Sequence, residues 1–180
     1  KEKAFKIFMD YTHWHVDARL VQAYVFKSGS TIDWLEKQGV EFFDPAAYFP
    51  GSNFTWHMVK APDGRGASAA MMKVLTDRAI EKGVRIFLQT PAKKILKKGD
   101  RVSGLIAEDK SGEEIQVNAR AVIIATGGFG DNPEWIKKYT GWEFGRNMFN
   151  FRVPGMVGDG IRMAWEAGAA PTEMRMEVIF

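Results

Sequence analysis

Two glycine-centred stretches hold most of the chemistry that this chain offers. Residues 121–133 read Ala-Val-Ile-Ile-Ala-Thr-Gly-Gly-Phe-Gly-Asp-Asn-Pro. A β-branched run of this kind predicts a strand buried on both faces. It closes on Ala125, Thr126 and Gly127, where side chains shrink and backbone is free to approach a neighbour closely. In an α/β fold that neighbour is commonly a ligand outside the carboxyl ends of the strands. Tight strand-to-loop packing with no ligand is the other reading of the same residues. The second stretch, Gly158-Asp159-Gly160, opens a predicted helix. Its free N–H groups and positive dipole end attract an anion or the polar edge of a cofactor. Asp159 would either cap that helix or hydrogen-bond a ligand hydroxyl, and an Asp between glycines is also how an ordinary helix begins.

Other chemistries find little support. The chain has no cysteine, which excludes disulfides, thiolate metal sites and a cysteine nucleophile. His13 and His15 fall in a segment with helical character, where i,i+2 side chains diverge, so no metal site is expected. Ser28, Ser30, Ser52, Ser68 and Ser111 lack a nucleophile elbow or a neighbouring base. Nucleophilic catalysis by these serines is therefore not expected. The net charge of +3 comes from 25 basic and 22 acidic residues, well mixed. The doublets Lys93-Lys94 and Lys97-Lys98 suit a solvated strand face better than a phosphate stripe, so nucleic acid is not an expected partner. No run approaches the roughly 20 apolar residues of a membrane span. Any targeting signal would precede Lys1, which leaves localisation open with the cytoplasm as default.

The elements that position these stretches are legible in outline. Asp17 caps a predicted helix from Ala18 to Lys27, Ser28-Gly29-Ser30-Thr31 interrupts it, and a short helix from Ile32 to Gln38 stops at Gly39. Val40 to Phe43 suggests a short strand, and residues 44–66 a long irregular segment. Ala67 to Lys82 forms a helix with Met71, Met72, Leu75 and Ala79 on one stripe. Val84 to Leu88 reads as a strand of parallel type. Three short strands with glycine turns follow, Ala92 to Leu96, Val102 to Ala107 and Glu114 to Val117, an antiparallel meander over about 92–118. The run at 121–126 is a second strand of parallel type. Asn132 and Pro133 start a short helix through Tyr139, and Ile161 to Ala167 is the last helix.

A meander inserted between parallel strands is not the usual dehydrogenase crossover. With Asp33-Trp34-Leu35-Glu36-Lys37-Gln38-Gly39-Val40, Ala121 through Asn132, and Gly158-Asp159-Gly160-Ile161 running to Ala167-Gly168-Ala169, the chain resembles the flavoprotein subunit family of fumarate reductases and succinate dehydrogenases. The likeness is greatest to its soluble, single-chain fumarate-reductase-like branch. It covers most of the chain and is fairly specific as a set. It implies an α/β fold, an incomplete Rossmann-like FAD-binding domain with the meander between parallel strands, with residues 1–180 as an interior part of that domain.

The resemblance also implies roles. The backbone at Ala92 would hold the adenine of FAD, Ala125, Thr126 and Gly127 would lie against the adenosine and pyrophosphate, and Gly158, Asp159 and Gly160 would meet the cofactor nearer its centre. Gly64-Arg65-Gly66 would lie on the flavin side, with Arg65 an anion contact or simply an exposed loop arginine. The family's G-x-G-x-x-G unit lies upstream of a segment like this one, and its clamp domain with the catalytic residues downstream; neither pattern occurs in the sequence. The implied function is part of a flavoprotein oxidoreductase that reduces, or forms, an activated C=C bond of a small carboxylate such as fumarate. Its partners would be the missing segments of the same enzyme, this chain alone being inactive. A cofactor-free interaction module on the same scaffold is the alternative. Apolar surface meant for missing segments also suggests self-association.

Overall fold

The protein is described by a computed structural model that covers residues 1–64, 68–148, 153–172 and 174. Arg65 and Gly66 lie outside the described residues. The chain divides into two compact units, Lys1–Ile86 and Phe87–Phe180. It is an α/β protein whose described strand pairings within sheets are all antiparallel.

The first unit is mainly helical. Helix α1 (Glu2–Tyr11) packs on α2 (Ala18–Gln38), and α2 meets α3 (Ser68–Glu81). The Asp17 carboxylate accepts from the Arg19 backbone N–H and caps α2, and Gly39 ends it with a left-handed φ of 103°. The expected break at Ser28-Gly29-Ser30-Thr31 does not occur: α2 runs through it unbroken. The polar side chains turn back onto the helix instead, Ser28 donating to the Val25 carbonyl and Ser30 and Thr31 both to that of Lys27. Such back-bonding lets hydroxyl residues sit inside a helix that composition alone would end. His13 and Trp14 are not helical either. Both have positive φ in the turn after α1, which Trp14 closes by donating its indole N–H to Asp10.

Residues 40–64 contain more order than an irregular loop. Strands β1 (Ala46–Ala47) and β2 (Phe54–Trp56) pair antiparallel, and Phe42 bridges Val59. Tyr48 stacks on Trp56 with ring centroids 4.5 Å apart. Met9 and Val40 are the buried apolar residues among those described in this unit.

The second unit is built on the meander. Strands β3 (Ala92–Lys98), β4 (Arg101–Glu108) and β5 (Glu114–Asn118) form one sheet in that order. The β4–β5 turn is held by the Asp109 carboxylate, which accepts from the backbone N–H groups of Ser111 and Glu113 and from the Ser111 hydroxyl. The hydrogen bonds from Ser111 and Glu113 hold its carboxyl below the usual aspartate range. Helix α4 (Pro133–Thr140) begins at Asn132, and α5 (Asp159–Glu166) packs against β3. Ala107, Phe129, Ile136 and Met163 form its buried core.

The two strands of parallel type are the main departure from expectation. Neither 84–88 nor 121–126 forms a strand among the described residues, and the second is not buried: Ile123 is 92% exposed. Strands exist by pairing, and the three candidate partners nearest in sequence pair only with one another. The residues keep the apolar, β-branched composition of an interior strand without a sheet to complete it.

Candidate functional site

All seven candidate residues lie in the second unit. The structure brings the end of the 121–127 segment onto the start of α5. Gly160 is buried, and a Cβ there would collide with the Thr126 hydroxyl oxygen and the Ile124 side chain. Gly158 is also buried, with φ of 89°, and a Cβ on it would lie 2.6 Å from the Trp135 ring. Both glycines therefore serve a close approach of chain to chain. Gly127 has φ of 73° and borders the Met156 side chain.

Aromatic rings wall this contact from behind. Trp135 stacks on Trp165 with centroids 5.4 Å apart, and Phe129 and Tyr139 each lie about one ring away from it, at 6.0 and 5.9 Å. Offset and edge contacts of this sort hold rings in fixed mutual positions. The loops on either side are stapled by polar groups. Asp131 accepts from the Gly155 N–H at 2.7 Å and donates its own N–H to the Met156 carbonyl at 2.8 Å. The Asn132 carbonyl oxygen accepts from the Trp135 N–H, capping α4, while its amide nitrogen donates to the Val157 carbonyl at 2.9 Å.

The remaining candidates are placed around this junction. Ala125, Thr126, Gly127 and Asp159 are exposed. Asp159 does not cap α5, as one reading of the sequence had it. Gly158 holds the cap position, no side chain caps the helix, and Asp159 lies in the first turn with Arg162 4.0 Å away. The left-handed turn at Gly158 carries the chain into the helix in a way that leaves the carboxylate outside. Ala92 opens β3 opposite Ala107, half-buried, on the strand that α5 packs against.

The displaced titrations lie elsewhere. Glu143 accepts from Lys137 at 2.8 Å and Arg146 at 3.2 Å, and these hydrogen bonds lower its pKa while raising that of Lys137. No cluster of three metal-ligating side chains occurs among the described residues. A recess of about 490 Å³ opens beside Tyr139, Trp165 and Met174, and another of about 310 Å³ beside Val40, Val59 and Val74. Neither is lined by a candidate residue. Sequence reasoning took Asn132 for a helix cap and passed over Asp131, Trp135 and Met156; bonds spanning 24 and 25 residues leave no local pattern to find.

Residues 1–180 match the family model described as FAD binding domain. The chain belongs to this family. FAD is thus the cofactor of the family that supplies its fold. Among similar proteins, the vinyl phenol reductase of Lactiplantibacillus plantarum is 33% identical over 174 residues, covering 96% of this chain and 34% of that protein. The fumarate reductase (cytochrome) of Shewanella frigidimarina is 30% identical, covering 88% and 27%. The NADH:acrylate oxidoreductase of Vibrio harveyi is 31% identical, covering 83% and 15%. The chain thus spans about a third, or less, of the length of these relatives, all of them reductases or oxidoreductases by name. In structure it is similar to the open conformation of a flavocytochrome c3 fumarate reductase, with a TM-score of 0.76 at 23% identity over 92% of this chain and 29% of that one. That likeness concerns the fold.

Proposed function

We propose that this chain forms part of the FAD cradle of a flavoprotein oxidoreductase that reduces, or forms, an activated C=C bond of a carboxylate-type substrate such as fumarate. The scaffold is read as an incomplete Rossmann-like domain, completed by other segments of the same protein that carry the dinucleotide fingerprint and the clamp with the catalytic groups. The observation that carries the reading is the seating of Thr126 and Ile124 on Gly160. It sets the end of the 121–127 segment beside the amino end of α5, two features that each suit a dinucleotide.

The residues present fit the cofactor. Ala125 and Gly127 are exposed and carry at most a methyl group of their own, with Met156 bordering Gly127, and α5 has no side-chain cap on its first-turn N–H groups. These amides suit the pyrophosphate, the Asp159 carboxylate suits a hydroxyl, and the Ala92 backbone suits the adenine edge. Flavin, when bound, supplies the hydride chemistry. The chain's residues bind and orient it, and none of those described is assigned a proton-transfer step. Relatives named for vinyl phenol, acrylate and fumarate support a C=C substrate, since each of these compounds contains such a bond.

The test compares the 180-residue chain with a form extended upstream through the dinucleotide-binding strand and helix. Each is incubated with FAD and desalted, and the visible flavin band is recorded. The short chain is expected to keep little or no colour and the extended form to stay yellow. An extended form that elutes colourless, while folded by circular dichroism, would refute the reading.

A further inference from the structure

We infer that Asn132 is a positioning residue for the cofactor-facing start of α5, a role that rests on the FAD cradle proposed above. Its side-chain amide is used at both ends. The oxygen accepts from the Trp135 N–H at 3.0 Å, and the nitrogen donates to the Val157 carbonyl at 2.9 Å. The orientation of the amide is set by its partners, because a flipped group would aim N–H at N–H and oxygen at oxygen. Val157 immediately precedes Gly158, the left-handed residue from which α5 departs. Position and direction of that turn decide where the first-turn amides of α5 point.

Asp131 fixes the two residues before Val157, binding the Gly155 N–H and the Met156 carbonyl. Consecutive residues thus grip consecutive residues, 155, 156 and 157, from the far side of the junction. Asn132 holds the one next to the helix. The same Asn132 starts α4, whose Trp135 ring lies against Gly158. One side chain therefore ties together the cap of α4, the ring wall and the entry to α5. Serine, threonine or aspartate would cap α4 about as well. A serine or threonine hydroxyl would have to make both bonds from a single oxygen on a shorter side chain, and aspartate has no donor, whereas the amide carries acceptor and donor on separate atoms.

The experiment uses the full-length protein with FAD and two substitutions that keep a capping oxygen. Asn132→Ser removes the amide donor. Asn132→Asp caps as well as the native residue, yet turns a carboxylate oxygen toward the Val157 carbonyl. Two quantities are measured: the FAD dissociation constant, and amide hydrogen exchange over 157–161 and over α4. For Asn132→Ser the expected outcome is weaker FAD binding, by at most roughly fivefold, the worth of one neutral hydrogen bond if all of it serves to pre-order the turn. Exchange should quicken over 157–161 with α4 protection kept. Asn132→Asp should bind FAD more weakly still. A residue that merely caps α4 gives a different order, with Asn132→Asp equal to wild type, and that order would overturn the inference, as would unchanged exchange over 157–161. Wild-type protein that takes up no FAD would sink the cofactor reading and this role with it. The exchange data would then still report whether Asn132 holds the turn, so the two failures are distinct.

Discussion

Gly160→Ala is the most direct probe of the contact on which the site depends. The added methyl would enter space held by the Thr126 hydroxyl oxygen and the Ile124 side chain, with the Thr126 Cβ 3.3 Å away. Overpacking a filled contact costs about 1–3 kcal/mol. Gly160 lies within α5 and its φ is not positive, so alanine regains up to about 1 kcal/mol of helix propensity. With the full propensity gain, the net expectation is a loss of up to about 2 kcal/mol. Thr126→Ala alone trims an exposed side chain and should cost about 0.5 kcal/mol or less. In the double variant the oxygen that meets the new methyl is gone, while Ile124 still obstructs it, so rescue is partial and the coupling is about 1 kcal/mol in the favourable sense. Urea unfolding of the full-length protein, followed by tryptophan fluorescence, measures all four corners of the cycle, with an unchanged m-value required of each. If the two changes add to within about 0.3 kcal/mol, Thr126 does not press on Gly160 and the geometry argued for the site is wrong.

Two further outcomes test the scaffold. Gly29 lies inside α2 with open space where a Cβ would be, so Gly29→Ala should stabilise by roughly 0.5–1 kcal/mol, read as a rise in the thermal midpoint; a fall would mean that the helix breaks there. The Glu143 carboxylate, with its pKa lowered by the hydrogen bonds from Lys137 and Arg146, contributes stability that is present above the unfolded carboxylate's pKa and is lost as pH falls through the lowered folded value. Glu143→Gln should therefore flatten the decline of the thermal midpoint on acidification, and an unaltered acid slope would show that the Lys137–Glu143–Arg146 cluster makes no net contribution.

Much of this architecture was legible in the sequence wherever it depends on neighbours close along the chain. The Asp17 cap, the glycine end of α2, the three meander strands, and the Asn132-Pro133 start of α4 all follow from such local chemistry. Legibility failed where a local rule met a longer-range one. Ser28-Gly29-Ser30-Thr31 has the composition of a break, yet hydroxyls that bond back to the helix let α2 continue. The run at 121–126 has the composition of an interior strand, yet no strand forms there among the described residues, because composition states what a strand would bury and not which strand it pairs with. The family resemblance named the candidate residues, but their mutual support through Asp131, Asn132 and Trp135 depends on contacts across more than twenty residues.

The glycines themselves bear a different meaning once the contacts are known. In the sequence, Ala-Thr-Gly-Gly and Gly-Asp-Gly both suggest backbone bared to a ligand. In the structure, Gly158 and Gly160 are bared to the protein, one to Trp135 and the other to Thr126 and Ile124. Solvent exposure falls instead to Ala125, Gly127 and Asp159. The two kinds of position make opposite predictions under substitution. A side chain at Gly158 or Gly160 forces the two halves of the junction apart, and so lowers stability whether or not FAD is present. One at Ala125 enters exposed space and alters stability little, while obstructing whatever approaches the backbone there. A glycine signature of this type is therefore partly a packing device that brings a loop end and a helix start into register, and under the function proposed above it leaves the exposed residues between to the cofactor.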